Sequence, residues 1–143
     1  MDIKDLALAR AVLDVHRLSD GKERVRVPLY SLHQVHVLDR ENALEATRQR
    51  VEALRKVREE LLEKGAMTFE VLAEVLPSVS WIKVVAREPG SYIAFEGNGR
   101  LVAMKEVFSE EDGMEVEVEE YRFRNPAKVV RRLDRVRKLN GLK

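Results

Sequence analysis

The apolar residues of this chain change their spacing from one segment to the next, and this change constrains the fold more than any other feature. Helical spacing runs over residues 3–13 and 43–64, whereas β-rich runs at 81–86 and 91–95 flank a Pro-Gly pair. An alternating run follows near residue 115, and a helical segment comes after it. This order predicts an α+β fold, in which one mixed sheet is packed with helices.

Local signals set the ends of the long helix. Asn42 has the side chain of an N-cap, and Glu45 three residues later completes a capping-box pattern. Gly65 supplies the left-handed residue that commonly ends a helix. Thr68 then opens a short apolar helix that stops at Pro77. The sequence therefore predicts one uninterrupted helix between Asn42 and Gly65, followed by a short one.

The strand predictions include one alternative and one irregularity. A first strand is expected over residues 24–32, and residues 12–18 either end the first helix or pair with this strand. In the later strand, Val118 belongs to an alternating apolar series, but Tyr121 is out of phase with that series. A bulge at residues 119–120 is the expected cause.

Length and composition limit the class of protein. The 143 residues suit one domain, with 1–24 as an N-terminal helix and turn, 25–123 as the core and 124–143 as a basic amphipathic helix. The absence of cysteine excludes disulfides, thiolate metal sites and thiol nucleophiles. No apolar run approaches the length of a membrane span, and the first residues do not resemble a signal peptide. We therefore expect a cytoplasmic protein that does not enter a membrane.

The segment from Tyr92 to Lys105 carries the clearest functional motif. It is typical of a strand, a turn with two glycines, and the start of a helix. Gly97 and Gly99 let the backbone approach a ligand, and the first amides of the helix point outward without partners. The helix dipole and the Arg100 side chain add positive charge at the same place. These features predict an anion site, and a turn that only joins strand to helix is the alternative.

The same segment resembles the signature loop of the ParB/sulfiredoxin superfamily. In that family a strand leads into a Gly-x-x-Arg loop and a helix, with a small residue three positions after the arginine. Gly97, Arg100 and Ala103 match these places, and the order of elements is similar over about residues 25–123. The resemblance implies a ParB/sulfiredoxin-like fold in a stand-alone domain. It also implies that the loop binds the phosphates of a nucleotide, such as ATP, ADP or CTP, with magnesium.

Three departures narrow what this resemblance implies. ParB-type loops carry an arginine at the place where this chain has Gly99. Sulfiredoxins need a cysteine in the loop, and its absence here excludes that reduction. The 20 residues that follow Phe123 are too few for the helix-turn-helix domain of ParB proteins. We therefore expect a nucleotide-binding domain that performs neither of those two activities.

Three residues of the motif have alternative roles. Glu96 is a candidate catalytic group, as a general base or magnesium ligand in phosphoryl transfer or nucleotide hydrolysis, and its alternative is to cap the helix or pair with Arg100. Asn98 either orients a ligand or caps the helix. Lys105, further along the same helix, either reaches a phosphate or stays solvated. The sequence leaves open whether a reaction follows binding.

Two histidines and an aspartate lie close together in the sequence, at His33, His36 and Asp39. Their residue types suit a two-histidine, one-carboxylate metal site. Such a site needs all three side chains on one side of a helix, and the residues there are typical of strand and loop. We therefore expect no metal at these residues.

The last predicted helix, from Pro126 to Leu139, has one apolar arc and one basic arc. A basic amphipathic helix can lie against nucleic acid phosphates, so a DNA-binding module is the second interpretation of the chain. The structural alternative is a helix docked on the core with a solvated basic face. A third interpretation is a non-catalytic interaction domain that forms a homodimer through its apolar helices. The basic arc consists of Lys128, Arg131, Arg132, Arg135 and Lys138.

Overall fold

The computed structural model describes residues 2–142, which form one mixed sheet with helices on both of its faces. None of the helices in this range is long and apolar enough to cross a membrane. The helices are α1 (Ile3–Leu18), α2 (Glu41–Lys56), α3 (Arg58–Lys64), α4 (Phe69–Val75), α5 (Asn98–Val107) and α6 (Ala127–Leu139). The strands are β1 (Gly21–Pro28), β2 (Leu32–Gln34), β3 (Ala66–Met67), β4 (Lys83–Glu88), β5 (Ser91–Glu96) and β6 (Glu115–Arg122).

The sheet mixes parallel and antiparallel pairs. Its order is β1-β6-β4-β5-β2, and β3 pairs with β6 beside this path. β1 runs antiparallel to β6, and β4 forms the expected hairpin with β5. β2, β3 and β4 are each parallel to one neighbour, namely β5, β6 and β6. The predicted α+β class with a single mixed sheet is therefore confirmed.

Each face of the sheet has its own hydrophobic core, because successive side chains of a strand point to opposite faces. In β4, Val84 belongs to the core under α2, α3, α4 and α5, and the next residue, Val85, belongs to the core under α1 and α6. Side chains fully buried in the first core include Leu32, Leu54, Leu72, Leu101 and Val116. The second core contains Val15, Ile93, Phe95, Tyr121 and Leu133.

The bulge predicted at residues 119–120 is wrong. The pairing of β6 with β1 runs without a break from Gly21 opposite Arg122 to Pro28 opposite Glu115. Tyr121 is out of phase with the earlier valines of β6 because it packs in the second core, while they pack in the first. A strand that is covered on both faces does not show one continuous alternation.

The long helix differs from its prediction at its start and in its middle. Arg40 occupies the N-cap position, so the capping box of Asn42 and Glu45 is wrong. The Glu45 carboxylate instead accepts hydrogen bonds from Arg48, the shorter of them 2.7 Å long. At Val57 the backbone leaves helical geometry, with φ −120° and ψ 17°, and this break separates α2 from α3.

The end of the long helical segment and the start of the next helix lie where the sequence predicts. Gly65 ends α3 in the left-handed conformation, with φ 74°. Thr68 caps α4, and its hydroxyl accepts a hydrogen bond from the Val71 amide at 3.2 Å. These two predictions are confirmed, because both depend on local backbone chemistry.

The first strand begins at Gly21 and ends at Pro28, so it begins and ends earlier than the predicted residues 24–32, and a longer helix precedes it. Residues 12–18 continue α1, so the helical alternative for this segment is correct. β1 ends at Pro28, a single 3-10 turn covers Leu29–Ser31, and the chain then enters β2 at the opposite edge of the sheet. Apolar residues 29 and 32 extend the strand-like pattern, but they belong to the turn and to β2.

The two ends of the described chain form one layer. α1 packs along α6, and residues of both helices share the second core. Asp14 of α1 is buried and binds two arginines, Arg17 at 3.0 Å and Arg132 of α6. The final helix begins after Pro126, as predicted. The helices expected at the two ends of the chain therefore cover one face of the core.

Candidate anion-binding site

The turn between β5 and α5 depends on Gly97. This residue has φ 90°, a conformation that glycine adopts without steric cost. A Cβ atom here would lie 2.8 Å from Cγ1 and 3.2 Å from Cα of Ile82, the residue before β4. The first turn of α5 therefore packs directly against the neighbouring strand because residue 97 has no side chain.

The start of α5 presents unpaired donors. Gly97 is the N-cap and has no side chain to accept a hydrogen bond. The amides of the first three helical residues, Asn98, Gly99 and Arg100, have no acceptor within the helix. Together with the aligned peptide dipoles, they give this point a positive potential that favours an anion.

Arg100 is the central side chain of the site. Its exposed fraction is only 3%. Within residues 2–142 its guanidinium takes part in no ion pair and no hydrogen bond. Burial lowers the pKa of Arg100, the nearby Arg50 lowers it further, and Glu96 acts in the opposite direction. A buried arginine that lacks a carboxylate partner is energetically unfavourable, because desolvation of the cation is not offset.

A second arginine comes to the same place from α2. A Cβ atom at Gly99 would overlap Nη1 of Arg50, so the missing side chain of residue 99 makes room for this guanidinium. Within the described residues, Arg50 also has no ion pair or hydrogen bond. Two like-charged arginines and a helix N-terminus therefore meet without a bound counter-charge. Sequence analysis missed Arg50, which lies 50 positions before Arg100 on a helix rich in charged residues.

A cavity of about 440 Å³ opens beside Arg100. Lys22 and Lys83 add positive charge to its wall, and Glu119 is the one acidic residue among its lining residues. Lys22 Nζ lies 3.5 Å from Glu119 Oε2. The remaining walls consist of the end of α4, the loop after it and Trp81: Leu72, Ala73, Leu76, Pro77, Ser78, Val79, Ser80 and Trp81. None of these residues was singled out from the sequence, because the cavity joins segments that are far apart in the chain.

Glu96 lies near the site without lining the cavity. Its carboxylate accepts a hydrogen bond from the Ser80 hydroxyl at 3.2 Å. It affects the pKa of Arg100, yet it lies beyond ion-pair distance from that residue. The predicted pairing of Glu96 with Arg100 is therefore not present, and its catalytic role stays a prediction.

Asn98 has a structural role through its side chain. The side chain is buried, and its Oδ1 accepts hydrogen bonds from the amides of Val35 at 2.8 Å and His36 at 3.3 Å. Its Nδ2 donates to the Ala94 carbonyl at 2.8 Å. The alternative of Asn98 as N-cap is wrong, since Gly97 occupies that position. The polar atoms of the Asn98 side chain are therefore engaged within the fold.

Lys105 points away from the cavity. Its Nζ donates to the Leu32 carbonyl at 2.5 Å and lies 5.2 Å from the centre of the Tyr30 ring. Arg137 of α6 donates to the Gln34 carbonyl in the same way. Both carbonyls belong to β2, an outer strand of the sheet, so the two cations cover polar groups at an otherwise open edge. Burial, and secondarily Arg137, lower the pKa of Lys105.

His33 and His36 each have their own surroundings in the structure. His33 is half-buried in β2, and burial lowers its pKa, with Lys105 and Arg137 lowering it further. His36 Nδ1 lies 2.9 Å from the Val37 carbonyl oxygen. Over residues 2–142 the structure shows no cluster of three histidine or carboxylate side chains with the arrangement of a metal site. His33, His36 and Asp39 therefore do not form one.

The basic arc of α6 is mostly free. Lys128, Arg131, Arg135 and Lys138 are exposed, while Arg132 is half-buried against Asp14. Two glutamates of β6 have partners elsewhere: Glu117 accepts a hydrogen bond from the Phe69 amide at 2.8 Å, and Glu119 lies 3.5 Å from Lys22. DNA binding by the basic arc stays a prediction.

Comparisons of the chain with protein-family models and with curated proteins, and of its structure with solved structures, found no match. The candidate site therefore stands on its own geometry. That geometry consists of three amides with no acceptor within the helix, two arginines that form no ion pair among the described residues, and a basic cavity that Arg100 lines.

Replacing Asn98 with alanine should destabilise the fold. The change removes the buried hydrogen bonds that Asn98 accepts from the amides of Val35 and His36 and the one that it donates to the Ala94 carbonyl. Since each unsatisfied buried group costs about 1–3 kcal/mol, we expect the free energy of unfolding to fall by about 2–4 kcal/mol. Urea denaturation measures this change, and a loss below about 0.5 kcal/mol would contradict the structural role.

His33 should make stability depend on pH. Because its folded pKa is lower than the unfolded value near 6.5, the unfolded chain binds more protons as the pH falls. The free energy of unfolding is therefore expected to decrease below pH 6.5. In the His33→Gln variant this decrease should be smaller, as judged by urea denaturation at several pH values. An equal pH dependence in both proteins is the result that rejects this account.

Proposed function

We propose that this protein binds a phosphate-bearing ligand, with a phosphate group at the start of α5 between Arg50 and Arg100. The observation that carries this proposal is the buried side chain of Arg100, which forms no ion pair and no hydrogen bond within residues 2–142. The organic part of the ligand then occupies the adjacent cavity.

The electrostatics of the site favour a dianion such as phosphate. Three sources of positive potential converge there, namely the helix N-terminus, Arg50 and Arg100. Arginine remains protonated even when buried, so loss of its proton does not relieve the repulsion. Phosphate oxygens can accept hydrogen bonds from the free amides and from both guanidinium groups at once. A bound phosphate therefore supplies the counter-charge that the fold itself does not.

The size and chemistry of the cavity favour a nucleotide over inorganic phosphate. A volume of about 440 Å³ lies within the range of small-molecule pockets, roughly 300–1,000 Å³, and exceeds the needs of one phosphate. Trp81 provides an aromatic wall, and its ring is held against Phe69 with 4.6 Å between ring centres. Such a ring can stack on a base, and Lys22 and Lys83 can contact further phosphates.

The family resemblance supports the same assignment. Gly97, Arg100 and Ala103 match the Gly-x-x-Arg signature of the ParB/sulfiredoxin superfamily, whose members bind nucleotide phosphates. The chain departs from ParB-type loops at Gly99, and Arg50 lies in the space that a side chain at this position would enter. A guanidinium from α2 thus compensates for the arginine that the loop lacks.

The site is proposed to bind a phosphate-bearing ligand, and no reaction is assigned to it. Phosphoryl transfer through Glu96 stays a prediction of the sequence, since this carboxylate is bound by Ser80 and does not line the cavity. Magnesium enters only as a condition of the binding experiment.

Replacing Arg100 with methionine should weaken nucleotide binding and stabilise the ligand-free protein. Methionine keeps an unbranched, flexible side chain, which is shorter than that of arginine, and removes the buried charge. We expect nucleotide affinity to fall by at least about tenfold, since a charged hydrogen bond contributes about 1.5–3 kcal/mol. The free energy of unfolding should rise by about 1–3 kcal/mol, as for other buried charges replaced by apolar side chains. Calorimetric titration with ATP, ADP, CTP and inorganic phosphate, with and without magnesium, and urea denaturation measure the two effects.

Arg131→Met is the matched control, because it removes the same charge from an exposed position on α6. It should leave both affinity and stability unchanged. Absence of binding by the wild-type protein, or equal affinity in wild type and Arg100→Met, would overturn the proposed function.

Replacing Gly99 with alanine should lower phosphate affinity without lowering the stability of the fold. Gly99 does not have a positive φ, so alanine is compatible with its backbone, and the methyl group displaces only the end of the flexible Arg50 side chain. Since alanine favours a helix over glycine by up to about 1 kcal/mol, the free energy of unfolding should stay level or rise. Phosphate affinity should fall, because Arg50 is moved from the helix start. Unchanged affinity in this variant would exclude Arg50 from the site.

A further inference from the structure

Helix α1 leaves apolar side chains uncovered on the side that faces away from the sheet. Ile3 is 63% exposed and Leu6 is 50% exposed, although both lie on the helix that covers the second core. Ala7 lies four positions after Ile3, Ala11 lies five positions after Leu6, and Ala11 is buried. This spacing continues the apolar stripe of α1 beyond the part that the fold covers.

These side chains line a groove between α1 and α6. The groove has a volume of about 260 Å³, and its lining also includes Arg10, Arg132 and Arg135. No acidic residue is among the lining residues. Arg132 is engaged by Asp14, whereas Arg10 and Arg135 are exposed and make no ion pair within residues 2–142. The groove thus combines an apolar floor with two free positive charges.

We infer that this groove docks an acidic amphipathic helix of a partner protein. A third helix laid between two packed helices fits side chains into the groove that they form. The small side chains of Ala7 and Ala11 allow its backbone to come close, and its apolar residues cover Ile3 and Leu6. Glutamate or aspartate residues on its flanks then pair with Arg10 and Arg135. This inference does not depend on the proposed function, since the two sites share no residues.

Charge and polarity distinguish this occupant from two others. A nucleic acid backbone would match the arginines but would leave Ile3 and Leu6 uncovered by apolar contacts. A second copy of α1 would bring Arg10 of one copy close to the basic residues of the other, and like charges oppose that contact. Only an acidic partner with an apolar face satisfies both properties of the groove.

A synthetic peptide provides the probe for this groove. The peptide has about 18 residues, with leucines at one helical face and glutamates elsewhere, so it is long enough to form a helix on binding. A second peptide of the same composition has its leucines dispersed around the helix. Fluorescence anisotropy should show saturable binding of the first peptide, and affinity for the dispersed peptide should be lower by about tenfold or more.

Two pairs of variants locate the binding. Leu6→Asp and Arg135→Glu change groove residues and should each weaken binding by about tenfold or more. Val79→Asp, in the loop after α4, and Lys138→Glu, near the end of α6, place acidic side chains at exposed positions outside the groove, and their affinities should stay within about twofold of wild type.

Three outcomes would overturn the inference. The first is equal affinity for the two peptides, or none for either. The second is equal loss in groove and control variants, which would indicate general charge attraction. The third is evidence for another occupant. Duplex DNA could bind in preference to the peptide, with binding abolished by Lys138→Glu and unaffected by Leu6→Asp. Alternatively, the molecular mass could double as the protein concentration rises, unless Leu6 is replaced. These results would assign the surface to nucleic acid or to a second copy.

Discussion

The buried amide of Asn98 holds the start of α5 against the sheet, and the candidate site depends on this junction. One side chain joins three parts of the chain: it accepts from the segment after β2, donates to β5, and belongs to α5 itself. Gly97 completes the junction because its lack of a side chain lets the turn contact Ile82. With the helix fixed in this way, its free amides and the Arg100 side chain have defined positions.

The fold brings two arginines to the start of α5 without providing an ion-pair partner for either among the described residues. Arg100 is buried, Arg50 lies over Gly99, and both are beside the positive end of a helix dipole. The other buried charged side chains among the described residues have polar partners: Asp14 binds two arginines, Glu119 lies near Lys22, and Arg137 donates to the Gln34 carbonyl. An arrangement that lowers the stability of the free protein and is relieved by an anion is typical of a binding site.

Local chemistry could be predicted from the sequence, and long-range contacts could not. The left-handed Gly65, the Thr68 cap and the β4–β5 hairpin each follow from a few neighbouring residues. The break at Val57 and the two-sided burial of β6 depend on which helices cover which face, and no local pattern reports this. Likewise, the Gly-x-x-Arg loop predicted an anion site from local residues, but the position of Arg50 beside it depends on the packing of α2 over Gly99.

The central claim is that an anion binds at the first turn of α5, and amide chemical shifts test it most directly. Uniformly ¹⁵N-labelled protein is titrated with inorganic phosphate, and each backbone N–H is followed by nuclear magnetic resonance. The account predicts saturable shifts that are largest for the amides of Asn98, Gly99 and Arg100, whose N–H groups are free at the start of the helix. Shifts that are confined to other surfaces, such as the basic arc of α6, or no saturable shift at all, would contradict it.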